Sequence, residues 1–277
     1  MRVPFSLEYF PPKTEEGVGR LHTTHLNFSR FMPDYCSVTY GAGGTTRHRT
    51  LQVVTQLQGS VPVAPHLSCI GDTRESLRRL LQHYQQLGIK RLIALRGDLP
   101  SGQVGLGELP YAVDLVKFIR SEFQEVFHID VAAYPEVHPQ AENAFTDLQH
   151  FILKVQAGAH SAITQYFYNA DAYWNFCEQL QRHGCNVPII PGIMPITNAS
   201  NLLRFSDSCG AEIPRWLRRQ LAAYADDQES IRRLGEEVVG RLCEQLLQQG
   251  APALHFYTMN LFQPTASLLQ HLGVQPQ

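Results

Sequence analysis

Residues 5–10 read FSLEYF, a short run in which one carboxylate, Glu8, stands among Phe5, Leu7, Tyr9 and Phe10. The run is aromatic and apolar and ends at a pair of prolines, which marks it as a strand. Seven more runs of the same kind follow: YCSVTYG (35–41), VPVAPHLSC (61–69), RLIALRG (91–97), IDVAAYPE (129–136), SAITQYF (161–167), VPIIPGI (187–193) and ALHFYTM (253–259). Up to the seventh they begin about 30 residues apart, which is room for one helix per strand. The intervening stretches carry helical spacing. Leu77, Leu80, Leu81 and Tyr84 recur at offsets of three and four across 74–87, and Ile231, Leu234, Val238, Leu242 and Leu246 form a stripe across 228–249.

Strands that alternate with helices pair in parallel, because each needs a crossover before the next. About eight such units close a barrel. The expected fold is therefore α/β, a single (β/α)8 TIM barrel over residues 1–277, with extra helices around 214–224 and 228–249 filling the longer gap before the last strand. An open doubly wound sheet is the alternative, and the absence of a GxGxxG turn after the first strand disfavours it.

Composition narrows the function. Of 277 residues, 44% are hydrophobic and 17% charged, with a net charge of −2, so disorder and a basic nucleic-acid footprint are both poor fits. The six cysteines show neither CxxC pairs nor zinc-ligand spacing. No apolar run suits a signal peptide or a membrane span, and a cytoplasmic protein is expected.

A barrel presents its chemistry at the carboxyl ends of its strands. There the sequence offers Glu8; Thr39, Tyr40, Gly41 and Ala42; His66 and Ser68; Arg96, Gly97 and Asp98; Tyr134, Glu136 and His138; Gln165 and Tyr166; Thr197 and Asn198; and Tyr257, Thr258 and Asn260. Glu8 on its apolar strand reads either as a general acid with a raised pKa or as a structural ion pair with Arg96. Gly97, between Arg96 and Asp98, would let a flat ligand approach the backbone, and Asp98 would face a substrate cation or serve as a turn residue. Gly41-Ala42-Gly43-Gly44, leading to Thr45 and Thr46, could form an anion nest, although no Gly-Lys-Ser/Thr follows. Glu8, His66, Asp98 and His138 could together hold a metal, but HExxH spacing is missing. The absence of a strand-end lysine argues against a Schiff-base lyase.

Taken in order, SLEYFPPK (6–13), SVTYGAGGTTRHRT (37–50), APHLSC (64–69), ALRGDLP (94–100), AAYPEVHP (132–139), ITQYFYN (163–169), IIPGIMPITN (189–198) and HFYTMN (255–260) resemble methylenetetrahydrofolate reductases of the short bacterial type. The resemblance implies a flavoprotein barrel in which NADH or NADPH reduces bound FAD. Reduced flavin then converts 5,10-methylenetetrahydrofolate to 5-methyltetrahydrofolate for methionine synthesis. It implies Glu8 as proton donor and Asp98 as stabiliser of an iminium cation. Gln165 would lie on the pterin and the nicotinamide, and Thr39 beside the flavin. FAD would lie against Tyr40, Ala42, His66, Arg96, Gly97, Asp98, Ala112, Tyr134, His138, Ala141, Asp147 and Lys154. Self-association is implied as well. His150, Leu153, Ala199 and Leu261 depart from the family pattern. Ala199 and Leu261 motivate a competing reading, a flavin-binding partner protein without reductase activity, beside a second alternative, a metal-dependent barrel hydrolase or lyase.

Overall fold

The computed structural model describes residues 2–40, 44–59, 61–98, 106–224 and 227–277. Its strands are β1 (Phe5–Tyr9), β2 (Tyr35–Val38), β3 (Val63–Ser68), β4 (Arg91–Leu95), β5 (His128–Ala133), β6 (Ser161–Thr164), β7 (Ile189–Ile190), β8 (Gly192–Ile193) and β9 (Leu254–Tyr257). All pair in parallel, in the order β7-β6-β5-β4-β3-β2-β1-β9-β8. The expected barrel is present. Its seventh strand is split at Pro191 into β7, which pairs with β6, and β8, which pairs with β9.

This split strand is the seam that closes the barrel. Pro191 cannot donate to a ladder, yet its carbonyl accepts the His255 N–H at 2.9 Å, and the next residue, Gly192, donates to Thr164 Oγ1 at 2.9 Å. The approach is so close that a Cβ on Gly192 would fall 2.1 Å from the Thr164 carbonyl oxygen. Tyr257 laces the same seam, its hydroxyl donating to that carbonyl at 2.6 Å.

Strand alternation sorts the side chains. Leu7, Cys36, Leu67, Leu92, Val131 and Phe256 are fully buried in the main apolar core. The helices that share this core include α3 (Arg74–Gln86), α4 (Ala112–Phe123), α5 (Ala144–Gln156) and α6 (Ala170–Arg182). Thr73, Asn143 and Asn169 cap α3, α5 and α6 through their side-chain oxygens. A separate small cluster of Ile93, Ile163 and Ile190 packs with Leu95, Ala253 and Tyr257. The long gap before the last strand holds α7 (Ala199–Cys209), α8 (Arg215–Tyr224) and α9 (Gln228–Gln248). In α9 Val239 is buried, while Val238, expected in the stripe, is half-buried. The small residues Gly235 and Gly240 also lie on the packed face and turn it by one position. Among the described residues, no helix is long and apolar enough to cross a membrane.

The amino ends of the strands enclose an ionic cluster absent from the sequence expectation. Asp130, with no exposed surface, lies 2.9 Å from Arg91 and 3.2 Å from His128, and accepts the Ser161 hydroxyl. The Arg91 guanidinium also sits 4.5 Å from the centroid of the Tyr35 ring. Burial pushes the Asp130 carboxyl up, but His128, Arg91 and Ser161 outweigh it and hold it low. A cluster at this end of a barrel supports the fold rather than the chemistry.

Two outcomes follow from the seam and the cluster. Gly192→Ala should cost about 1–3 kcal/mol in denaturant unfolding, because the Thr164 carbonyl must move to admit a methyl group. Asp130→Asn should cost about 3 kcal/mol, because it leaves Arg91 and His128 without their carboxylate. Since the folded-state pKa of Asp130 is depressed, its stabilisation is present above the ordinary carboxylate value near ~4 and is lost as pH falls below it. The variant should therefore lose less stability than the parent on acidification, and equal acid sensitivity would contradict this assignment.

Candidate active site

Glu8 enters the barrel from β1, two residues after Ser6 on the same face. Its backbone is fixed by the last strand, where Thr258 Oγ1 donates to the Glu8 carbonyl at 2.6 Å. Asn260 locks the next turn of chain, accepting the Phe10 N–H at 3.0 Å and donating to the Phe10 carbonyl at 2.8 Å. It does so from a left-handed conformation (φ 58°), which asparagine tolerates better than most residues.

The carboxylate lies between two imidazoles. Glu8 Oε2 is 3.2 Å from His66 Nε2 on β3 and 3.5 Å from His255 Nε2 on β9. Both nitrogens are buried and neither completes a hydrogen bond of good geometry. On its other side His255 is anchored, with Nδ1 2.7 Å from Ser6 Oγ. The raised pKa expected of Glu8 is not found. Burial pushes it up, but the adjacent His66 and His255 imidazoles outweigh burial and hold the carboxyl down to about 2. The ion pair with Arg96 does not form either, since Arg96 donates to the Gly97 carbonyl at 3.3 Å and to Gln140.

A second group occupies the ends of β4 and β5. Arg96, Asp98, Asp147 and Lys154 all act electrostatically on His138, whose ring meets that of Tyr134 edge-on at 4.4 Å. Asp147 accepts the His138 N–H at 2.9 Å, and the His138 carbonyl accepts the Ala141 N–H at 2.9 Å. Burial lowers the Lys154 ammonium to about 8, against the pull of Asp147, while Nζ donates to the Ala132 carbonyl at 2.6 Å. Among the described residues, neither Lys154 nor Arg96 has a carboxylate within ion-pair distance. Val137, between Glu136 and His138, holds φ 88°, a costly conformation for a β-branched residue.

Gly97 is required by its own neighbours. It adopts φ +85°, and a Cβ there would fall 1.9 Å from Ser68 Oγ. That hydroxyl donates to the Arg96 carbonyl at 2.8 Å, so β3 is what approaches the glycine closely. Asp98, just beyond, is exposed. Tyr257 joins the two groups: burial raises its hydroxyl well above the usual range, and Glu8 and Tyr134 add to the rise from either side.

The remaining expected residues are distributed around these groups. Thr39 donates its N–H to the Tyr9 carbonyl at 2.8 Å, one step along from Glu8. Gln165 donates its N–H to the Ala133 carbonyl at 2.8 Å, and its side-chain oxygen accepts the Tyr166 N–H at 3.0 Å. Burial pushes the Tyr40 hydroxyl up to about 12, with Arg47 and Asp72 acting on it. Ala112 opens α4, and no described hydrogen bond joins it to Arg96 or Lys154. Ala42, with Gly41 and Gly43, lies outside the described residues, while Gly44, Thr45 and Thr46 form the start of α2 (Gly44–Leu57) rather than a loop. Among the described residues, no group of three or more His, Cys, Asp or Glu has metal-holding geometry. His255 and Ser6 were missed in the sequence. The available signal was the two-residue period, which puts His255 on the face of Tyr257 rather than that of Leu254 and Phe256.

Comparison with known proteins shows the family. A family model described as methylenetetrahydrofolate reductase matches residues 1–273. The 5,10-methylenetetrahydrofolate reductase of Escherichia coli (strain K12) is 37% identical over 277 residues, taking in 99% of this chain and 92% of that protein. Methylenetetrahydrofolate reductase (NADH) 1 of Zea mays is 36% identical over 288 residues, taking in 99% of this chain and 49% of that one. The chain thus spans about half the length of the plant relatives it matches and most of the bacterial ones. Among solved structures, an uncharacterized protein from Clostridium thermocellum, described as binding two copies of 5-methyl-5,6,7,8-tetrahydrofolic acid, has a TM-score of 0.67. It is 19% identical, and the match covers 97% of this chain and 93% of that one, a likeness of fold. With a match from residue 1 to residue 273 and a bacterial relative covered almost throughout, the chain belongs to the methylenetetrahydrofolate reductase family.

Proposed function

We propose that the chain reduces 5,10-methylenetetrahydrofolate to 5-methyltetrahydrofolate, with NADH or NADPH as the electron source and FAD as the bound carrier, in two separate half-reactions. The observation that carries this reading is the fixed carboxylate at the barrel mouth, Glu8, flanked by two histidines and set beside a cationic shelf. Family membership supplies the reaction class.

The residues present fit FAD. Lys154 carries a buried ammonium, and Arg96 a guanidinium, each without a carboxylate at ion-pair distance among the described residues. A diphosphate is the anion such a pair takes. Arg96 and Lys154 would hold it, with Tyr134, His138, Ala141 and Asp147 around it. When bound, the flavin ring supplies the two-electron hydride chemistry that no side chain can provide.

The chain's own residues then have distinct tasks. Opening the five-membered ring of the folate breaks a carbon–nitrogen bond, and the electron pair leaves with the bridge nitrogen, which must gain a proton. Glu8 is the group placed to deliver it. The carbon side becomes an iminium cation, and Asp98, at the open end of β4, supplies a facing negative charge. Gln165 provides amide hydrogen bonds to the pterin and, in the other half-reaction, to the nicotinamide. Thr39 lines the mouth beside Glu8. Ala199 and Leu261 remove no group from this set, since Ala199 is the first residue of α7 and Leu261 caps α10 (Phe262–His271).

The two half-reactions are separable by experiment. Purified protein should be yellow. Anaerobic NADH or NADPH should bleach it, and methylenetetrahydrofolate should restore the colour. Glu8→Gln should bleach at near the parent rate yet recolour on the order of 100-fold more slowly, as expected for loss of a general acid. Equal loss in both steps would contradict the proton-donor role, and a colourless protein that binds zinc would favour a hydrolase.

Lys154 gives a test that needs no turnover. Its folded-state pKa of about 8 lies below the usual lysine value near ~10.4, so between the two the unfolded chain binds more protons than the folded one. Stability of the flavin-free protein should therefore rise with pH across that window. Lys154→Met should abolish the rise and weaken FAD binding by about 10- to 100-fold. An unchanged FAD dissociation constant would remove Lys154 from the cofactor site.

A further inference from the structure

Glu8 poses a problem that its immediate neighbours resolve. Two histidines hold its carboxyl down to about 2, so alone it carries no proton to give at neutral pH. Yet His255 is built to keep one there. The residue has no exposed surface, and its ring is fixed on all sides. Ser6 on β1 holds Nδ1 at 2.7 Å. Tyr35 on β2 stacks on the ring at 6.2 Å and 29°. Tyr257, on the same strand, meets it edge-on at 5.4 Å. Nε2 faces Glu8 Oε2 at 3.5 Å. A bare nitrogen lone pair aimed at a carboxylate would be repelled, so Nε2 carries a hydrogen. If Nδ1–H also donates to Ser6 Oγ, the ring is an imidazolium paired with a carboxylate in a low-dielectric interior.

The geometry points to His255 as the residue that stores the transferable proton: Glu8 and His255 hold one proton between them, and Ser6 fixes which ring nitrogen presents it. This rests on the reading of Glu8 as donor to a folate nitrogen. His255 acts through Glu8 and is a positioning residue. In the step, His255 Nε2–H breaks as Glu8 O–H forms. Glu8 O–H then breaks as the N–H of the folate bridge nitrogen forms, while the ring carbon–nitrogen bond opens with its electron pair going to that nitrogen. His255 is left neutral, with Nδ1–H on Ser6. One solvent proton returns to Nε2 once product leaves the mouth. The other titratable groups that face this pair are His66 on β3, 3.2 Å from Glu8, together with Tyr35 and Tyr257; the Arg91 guanidinium sits 4.5 Å from the centroid of the Tyr35 ring and 2.9 Å from Asp130. A proton shared within such a set titrates with the pair rather than with one residue.

The test uses the full-length, flavin-loaded protein and its His255→Gln and Ser6→Ala variants. Stopped-flow measurement of both half-reactions across the neutral pH range should show the parent's folate-dependent step falling as pH rises and the pair loses its proton. His255→Gln should slow that step by about 10- to 100-fold at neutral pH and shift its falling limb to lower pH. It should affect reduction by the nicotinamide far less. Ser6→Ala should give a smaller loss. A folded, flavin-loaded His255→Gln protein whose limb has not moved would overturn the proposal. Imidazole nitrogen NMR of the same proteins, without any folate, supplies a second readout. His255 should carry hydrogen on both nitrogens at neutral pH and lose one in Glu8→Gln. A neutral His255 in the parent would also overturn it. Should methylenetetrahydrofolate fail to reoxidise the parent at all, the reductase reading fails, while the NMR result still decides whether the pair stores a proton.

Discussion

A carboxylate buried between two imidazoles is the constraint on which the rest of this barrel's mouth depends. Removing Glu8 from water is costly, and the cost is offset only if His66 and His255 stand on either side of it. These groups come from β1, β3 and β9, so the arrangement exists only when β1 lies between β2 and β9 and the sheet has closed. Closure in turn depends on the split seventh strand, where Pro191 and Gly192 let one stretch of chain pair with β6 on one side and β9 on the other. The same closing strand, β9, supplies His255 to the Glu8 carboxylate, and Thr258, the residue that follows it, bonds the Glu8 carbonyl. The seam and the candidate chemistry are thus one structure seen from two directions.

The mouth is electrostatically divided. Around Glu8 the partners are the imidazoles of His66 and His255. Around Arg96 and Lys154 the field is cationic and suited to a diphosphate, with Asp98 and Asp147 preventing it from being uniformly so. Tyr257 stands between the halves and is fastened to the seam through the Thr164 carbonyl. The opposite end of the barrel carries its own buried charge, Asp130, with Arg91 and His128. That group is enclosed and internally satisfied, which suits support, whereas Glu8 faces imidazole nitrogens that complete no hydrogen bond of good geometry.

Much of the architecture was legible in the sequence because each strand is a short apolar run closed by Gly, Pro or Asn, and the helical segments 74–87 and 228–249 show an apolar stripe. The seam was not, because Pro191 inside VPIIPGI reads as part of one strand, and only the pairing shows that it divides two. Glu8 was found as a lone carboxylate in an apolar run, but its pKa was expected in the wrong direction. Burial is visible from neighbours in sequence; His66 and His255, distant along the chain, become neighbours only on closure. His255 itself was hidden inside the apolar run ALHFYTM. At Gly97 the close approach shown is that of Ser68 on β3, a long-range contact that no local pattern encodes.

In the proposed reaction the barrel mouth brings a folate bridge nitrogen to Glu8. The most direct measurement is a crystal structure of the flavin-loaded protein with 5-methyltetrahydrofolate. The expected result is the pterin at the carboxyl ends of the strands, hydrogen-bonded to Gln165, with its bridge nitrogen within hydrogen-bonding reach of Glu8 and the Glu8–His255 contact retained. A folate seated elsewhere, such as in the cavity of about 660 Å³ beside Tyr35, Lys90 and Arg91 at the other end of the barrel, or a Glu8 carboxylate turned away from the ligand, would contradict the account.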